Sequence, residues 1–465
     1  MEDNQQVVQQ LFQEGAELLQ QGNAAAALKR FQEALARNAA VALLHLYAGT
    51  ALHELGRYEE AITAYRSALE IAPQAGEVHN NRGNSLMALG RFTEAVASFS
   101  RAAELLPASP VPLTARATAL QALGMVREAE TDCRRALTID PTFAEAHWNL
   151  SLALLLTGEY RAGWQEYEWR WQRQTFTSPR RHDDIPLWDG APLDGRTILL
   201  HAEQGFGDTL QFARYIPLVA SRGGRVVVEC HPPLITLLES VAGVTAVLPF
   251  GVPVPSAHCQ APLLSLPRIF DTTLESIPQQ LPYLCAPAGY GEKWAALLPR
   301  RDDTLRIGLV WGGKSYPDPL RSARLADFAP LADMTGVRFY SLQIGEAALQ
   351  ATSPPDGMQL IDVTGQIGDF ADTAALIGEL DLVISIDTAV AHLAAAVGKP
   401  VFLLLPLAAD WRWLRGRSDS PWYPGMELFR QRRSGEWGEV VQRVRGAVIR
   451  WSGEQKKSFR KTPKD

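Results

Sequence analysis

The stretch LDLVISIDTAVAHLAAAVGKPVFLLLP, Leu380 to Pro406, decides how the C-terminal part of this chain folds. Leu380 to Ile386 is an apolar run that predicts a short buried strand. The Ala-rich run Thr388 to Val397 predicts a helix closed by Gly398, and Val401 to Leu405 predicts a second strand. Two such strands joined through a helix make a parallel unit. Asp387 and Thr388 then stand at the carboxyl end of a strand, where open α/β sheets place their ligands. The N–H groups of Thr388, Ala389 and Val390 have no partner inside such a helix and carry the positive end of its dipole. The turn therefore suits a phosphate without a glycine-rich loop. A helix cap at Asp387 with His392 packed among alanines fits the same letters.

On either side of that unit the same period continues. TILLHA (Thr197 to Ala202), RVVVEC (Arg225 to Cys230) and TAVLPF (Thr245 to Phe250) read as strands of a first half, with helical segments near Asp208 to Ser221 and Leu234 to Ser240. A break rich in Pro, Gly and charge runs from Ala286 to Asp303. RIGLVW (Arg306 to Trp311), RFYSLQ (Arg338 to Gln343) and the two strands around Asp387 then form a second half. The expectation is two Rossmann-like α/β lobes, 196–290 and 304–434, and an amphipathic C-terminal helix at 435–451 that crosses back over the first lobe. Neither lobe has a GxGxxG or Walker loop. With no Asp-X-Asp and no cluster among the nine histidines, phosphate chemistry without a bound metal or cofactor is expected.

The first third has a different rhythm. Gly22, Gly56, Gly90, Gly124 and Gly158 recur every 34 positions, and Ala27, Ala61, Ala95 and Ala129 keep step with them. Phe31, Tyr65, Phe99 and Tyr167 share the period, with Cys133 in the fourth place. Ala34, Ala68, Ala102 and Ala136 follow, and Pro73, Pro107 and Pro141 close three units. This is the pattern of a tetratricopeptide array: Gly in the turn, small Ala between two helices, an aromatic filling the gap, Pro ending the second helix. Five units exceed the number needed for a continuous core, so 5–176 is expected to be an all-helical superhelix with a concave face. The fifth departs, with Gly163 in place of Ala and Trp164, Trp169 and Trp171 on one short helix. That helix is expected to dock on the next domain or to serve as a hydrophobic end-cap. Residues 177–195 read as the linker, which Pro186 and Trp188 can pin to a neighbour.

Composition fits two to four domains: 465 residues, 46% hydrophobic, net charge -6. The acidic balance gives no footprint for nucleic acid. Only Lys456 to Lys464 is basic, and it reads as a solvated tail. The polar start lacks an apolar signal core, no run is long enough to span a bilayer, and Cys133, Cys230, Cys259 and Cys285 have no metal or redox spacing. The expected location is the cytoplasm.

HAEQGFGDTLQFARYIPL (His201 to Leu218) together with SIDTAVAHLAAAVGKPVFLLLP resembles the heptosyltransferase-like glycosyltransferases of GT-B arrangement. DWRWLRGRSDSPWYPGMELFRQ resembles the branch of that family fused to tetratricopeptide repeats. The resemblance covers roughly Gly195 to Val444. The layout is also similar to that of the protein O-GlcNAc transferases, although their catalytic histidine is not matched. The resemblance implies sugar transfer from a nucleotide diphosphate donor, with the acceptor on the first lobe and the donor on the second. It places the base on Asp208 of GFGD, with Gly205 and Gly207 bringing the helix start close to the reacting carbon; a helix-capping role is the alternative for Asp208. It places the diphosphate at Asp387, Thr388, Ala389, Val390 and His392, with Ala389 where the family commonly has Gly. Arg321, with Lys314 as competitor, is the implied phosphate cation, and Glu346 the implied ribose ligand. Gln204, Gln343 and Trp411 complete the expected substrate-binding set, and Trp413, Trp422 and Tyr423 are candidates for the cleft or for the core. The repeats are expected to recruit a protein or peptide partner. A scaffold of repeats joined to a lobe pair without transfer activity is the alternative.

Overall fold

The computed structural model describes residues 2–254, 256–314 and 319–459. The chain divides into two compact units, Met1–Leu154 and Leu155–Asp465.

The first unit is built from antiparallel helix pairs: Glu2–Gln20 with Ala24–Arg37, Ala42–Glu54 with Tyr58–Ile71, Gly76–Ala88 with Phe92–Leu105, and Val111–Ala122 with Val126–Ile139. Each pair turns at a glycine of positive φ, from +71° to +76° at Gly22, Gly56, Gly90 and Gly124. There the N–H after the glycine returns to a carbonyl five residues back, as from Asn23 to Leu18 (2.9 Å) and from Met125 to Leu120 (2.8 Å). The periodic Ala, Phe31, Tyr65, Phe99 and Cys133 are all buried. A second set of small residues faces these rings. A Cβ on Gly15, Gly49 or Gly83 would stand 2.6, 2.5 or 2.5 Å from the ring of Phe31, Tyr65 or Phe99. In the fourth unit the bulky partner is the smaller Cys133, and Ala117 takes the glycine position in the same cluster. The methyl gained at Ala117 offsets part of the volume lost at Cys133.

Helix Ala144–Thr157 opens the fifth repeat, but its partner Tyr160–Tyr167 belongs to the second unit. On that partner helix Trp164 is buried against Phe212, Trp411 and Trp422, with ring centroids 6.1, 5.2 and 6.4 Å away. The α-helix stops at Tyr167, and Trp169 and Trp171 lie on the 3-10 turn Glu168–Gln172 and are only half-buried. Beyond it, the linker is pinned along a sheet edge: Trp188 N–H donates to the Gln260 carbonyl (2.8 Å) and Gln260 N–H to that of Pro186 (2.9 Å).

The second unit has two parallel sheets. The first contains β1 (Thr197–His201), β2 (Arg225–Cys230), β3 (Val244–Pro249) and β4 (Cys259–Pro262), in the order β3-β2-β1-β4. The second contains β5 (Leu305–Val310), β6 (Val337–Ser341), β7 (Leu360–Asp362), β8 (Leu382–Ile386), β9 (Val401–Leu405) and β10 (Met426–Arg430), in the order β10-β9-β8-β5-β6-β7. β1, β8 and β9 are buried at every position, as strands covered on both faces must be. The irregular break contains a helix, Tyr290–Leu297, held by the fully buried Trp294.

The C-terminal helix, Trp437–Phe459, does not return to the first lobe. Its apolar face, Trp437, Val440, Val441, Val444, Ala447 and Val448, joins the second-lobe core of Ile307, Phe402 and Phe429. Burial of that stripe against the nearest sheet wins over a longer path. Residues 460–464 of the basic tail lie outside the described residues. Among the described residues no helix is long and apolar enough to cross a membrane.

Candidate functional site

β8 ends at Ile386; Asp387 comes next, and the helix Ala389–Ala396 follows with Thr388 as its N-cap in extended backbone. The first bond of this helix runs from Ala391 N–H to the Thr388 carbonyl (3.1 Å), so the helix itself does not use the N–H groups before it. The helix closes at Gly398, φ +82°, with Lys399 N–H returning to the Ala394 carbonyl (2.9 Å).

The Asp387 carboxylate accepts from Trp413 Nε1 at 2.8 Å. Trp413 stacks on His392, with centroids 5.4 Å apart and planes at 29°. His392 Nδ1 meets the Tyr423 hydroxyl at 2.9 Å, and its Nε2 lies 3.8 Å from Asp387 Oδ1. Burial, then the charges of Arg412 and Arg214, hold the His392 pKa well below that of an ordinary imidazole. The ring is therefore neutral, and its contact with Asp387 is not an ion pair. Burial and then the negative charge of Asp410 push Asp387 up to about 6, against the pull of the Trp413 bond, Arg412 and Arg321.

The first lobe contributes the turn after β1. Gln204 takes φ +60°, its N–H donating to Ser178 Oγ (2.8 Å), and Gly205 caps the helix Phe206–Phe212. Asp208, in the first turn, accepts the Gly205 N–H at 2.9 Å, so the carboxylate does close the helix start. Its other oxygen accepts from the Arg412 guanidinium. Burial raises the Asp208 pKa, and Arg412 pulls it back. The two motif helices touch: a Cβ on Gly207 would stand 3.1 Å from His392 Cδ2 and 3.6 Å from Ala389 Cα.

The other expected ligands divide. Arg321 is half-buried, acts on Asp387 by its charge, and bonds the Lys314 carbonyl at 3.4 Å; its Nε is buried without a partner among the described residues. Lys314 is exposed and acts by its charge on His231 of the first lobe. Glu346 is exposed at the start of the 3-10 helix Glu346–Thr352. Gln343 corrects the expectation of a substrate contact. Its Oε1 accepts from Trp311 N–H (3.0 Å) and Gly312 N–H (2.7 Å), and its Nε2 donates to the carbonyls of Gly312 (3.0 Å) and Ile344 (2.9 Å). With all four positions of the amide used, it holds the WGGK loop instead. Trp411 is corrected likewise: buried among Tyr160, Trp164 and Trp422, it is core, as is Trp422, whereas Trp413 and Tyr423, also buried, bond Asp387 and His392.

Sequence reasoning missed Arg412, Gln211 and Arg214. Arg214 is buried, donates to the Trp422 carbonyl (2.6 Å) and to Tyr283 OH (3.1 Å), and lies 4.5 Å over the Tyr423 ring. It also missed Arg170, fully buried beneath the β1 turn and paired with Glu203 (2.8 Å) and Glu168 (3.0 Å). A charged residue inside an aromatic run, as in EWRW and DWRW, was the available signal.

Residues 347–404 match the glycosyltransferase family 9 (heptosyltransferase) family, and residues 49–90 and 76–109 match tetratricopeptide repeat families. The chain carries tetratricopeptide repeats and a glycosyltransferase family 9 segment. That segment contains Asp387, Thr388, Ala389, Val390 and His392, and it excludes Asp208, Arg321 and Arg412. The chain is 28% identical over 323 residues to protein FlbA of Caulobacter vibrioides, covering 63% of this chain and 53% of FlbA. It thus spans about half the length of that curated relative. Among solved structures, PilF of Pseudomonas aeruginosa is 20% identical with a TM-score of 0.34, covering 37% of this chain and 78% of PilF. The tetratricopeptide protein TTC0263 of Thermus thermophilus is 20% identical with a TM-score of 0.31, covering 35% of this chain and 88% of that protein.

Proposed function

We propose that the chain transfers a sugar from a nucleotide diphosphate donor to a protein or glycan acceptor, with inversion and without a bound metal, and that its repeats recruit the acceptor. The observation that carries this reading is the contact of Gly207 with His392, which brings Asp208 and the Asp387 turn, 179 positions apart in the chain, to one place. The Asp208 carboxylate takes the proton of an acceptor hydroxyl as its oxygen attacks the anomeric carbon. The bond from that carbon to the phosphate oxygen breaks, and the nucleoside diphosphate leaves with the electron pair. Fixed N–H groups at the start of helix Ala389–Ala396 and the Arg321 guanidinium stabilise the charge that grows on it. General-base help of this kind is worth roughly 10²–10⁴-fold.

A scaffold without transfer activity is the second reading, favoured by one observation: both oxygens of Asp208 are already engaged, by Gly205 and Arg412. Thermal unfolding with UDP, GDP, ADP and dTDP, each with and without chelator, separates the two. A ligand at about 100 times its dissociation constant stabilises the folded state by about 2.7 kcal/mol. A shift that persists with chelator is expected for the transferase; no shift with any nucleotide supports the scaffold. If the array recruits a protein acceptor, removal of Met1 to Asp140 abolishes transfer to it while nucleotide binding survives. Full transfer by a nucleotide-binding fragment would refute recruitment.

A further inference from the structure

Arg412 lies at the centre of the site, and the reaction just described gives it nothing to do. Its guanidinium bonds Asp208 and donates to Gln211 Oε1 (2.5 Å) on the first lobe, and donates to Asp410 Oδ1 (2.9 Å) on the second. It lies on the ring of Trp411, 4.4 Å from the centroid. The whole residue is 9% exposed. Burial pulls its pKa down, yet Asp410 and Asp208 outweigh that and hold it above the ordinary value, so the charge is permanent. A planar fork fixed on three sides permits one direction for the Asp208 carboxylate.

We propose that Arg412 is the positioning residue of the transfer reaction, holding Asp208 ionised and aimed, and that Asp410 sets how much of the guanidinium charge Asp208 receives. The inference rests on Asp208 being the base. A carboxylate in a buried site drifts toward its neutral form, which cannot accept the acceptor proton; a paired guanidinium opposes that drift. Full neutralisation would make a poor base, and Asp410, by sharing Arg412, prevents it. The other titratable groups that face Asp208 are Glu203 beneath the turn and the Tyr167 hydroxyl, which burial keeps protonated.

The sign of each change follows. Without Arg412, Asp208 holds its proton to higher pH, so the acid limb of the rate profile moves up. Without the Asp410 charge, it moves down. Asp410 also caps the turn Trp411–Trp413 by accepting the Arg412 N–H, and Asn preserves that bond.

The test measures nucleoside diphosphate release, with water taking the place of the acceptor hydroxyl, from a panel of UDP-, GDP-, ADP- and dTDP-hexoses between pH 4.5 and 9 by the full-length parent, Arg412→Gln, Arg412→Lys, Asp410→Asn and Asp208→Asn, with melting and nucleotide affinity measured alongside. Expected is an upward move of the acid limb by about one unit or more in Arg412→Gln, a smaller one in Arg412→Lys, and a downward move in Asp410→Asn. An unmoved limb in a folded, nucleotide-binding Arg412→Gln, or a move in the same direction in both Gln and Asn variants, would overturn the inference while leaving the transferase reading intact. Should Arg412→Gln fail to fold, the Asp410→Asn direction decides. If the parent turns over no donor, or Asp208→Asn matches its rate, the functional reading itself fails and takes the inference with it.

Discussion

Gly207 of the first lobe lies against the imidazole of His392 of the second, so closely that a methyl group at 207 would stand 3.1 Å from Cδ2. His392 has little room to yield, held by the Tyr423 hydroxyl on one side and stacked on Trp413 on another. Gly207→Ala gains about 1 kcal/mol of helix propensity. Overpacking a held contact costs about 1–3 kcal/mol. The net expectation is a lower melting temperature and weaker nucleotide binding, with Gly207→Val worse than Ala. Calorimetric melting checks the first and titration the second; an Ala variant more stable than the parent would show that the lobes part easily here.

Asp387 gives the site a pH dependence of unusual sign. Its folded pKa, about 6, is above the value of a free carboxylate. Stability from this group is therefore full while it is protonated in both states, and is lost as pH rises from the unfolded value through about 6. Asp387→Asn keeps an acceptor for Trp413 Nε1 and removes the charge. It should melt higher than the parent at pH 7.5 and match it near pH 4. Equal melting temperatures at pH 7.5 would mean the carboxylate bears no burial cost.

Tyr423 tests the neutral state of His392. With the hydroxyl donating to Nδ1, the imidazole proton sits on Nε2 and faces Asp387. Tyr423→Phe leaves a buried Nδ1 without a partner, at a cost of about 1–3 kcal/mol. A drop in melting temperature independent of pH from 6 to 8 is expected, because a ring held this far below its ordinary pKa does not titrate there. A loss confined to the acid side would instead show His392 gaining a proton.

The strands that carry the site were legible because each is a buried apolar run ending at a polar residue, as VISI ends at Asp387. β4, β7 and β10 were not: CQAP and LID are too short to show alternation, MELFR has a charge at two of its five positions, and β4 becomes a strand because Ile198 to His201 offers it an edge. The repeats were legible in their aromatic and alanine positions, yet one periodic signal went unread. His45, His79 and His147 stand at multiples of 34, and each Nε2 reaches the carbonyl six residues back, of Ala39 (2.9 Å), Pro73 (3.2 Å) and Pro141 (2.9 Å). The site lost most at Arg412, because its first-lobe partners are 204 and 201 positions away and local spacing does not bring them together.

The glycine opposite each repeat aromatic makes the last prediction, and it concerns volume rather than chemistry. Gly83 faces Phe99, where a Cβ would stand 2.5 Å from the ring, while Ala117 and Cys133 hold the matching places one repeat later. Gly83→Ala alone should destabilise the first unit by about 1–3 kcal/mol, since Phe99 is fully buried and has nowhere to move. Phe99→Cys alone leaves a cavity and should cost about 3 kcal/mol or more, near the range for losing a buried ring. Together they reproduce the pairing of the next repeat, so the double variant should be more stable than the sum of the two losses predicts, by about 1 kcal/mol or more. Denaturant unfolding of the four proteins gives the coupling directly. Strict additivity would show that Gly83 is required by the backbone of its helix and not by the ring it faces.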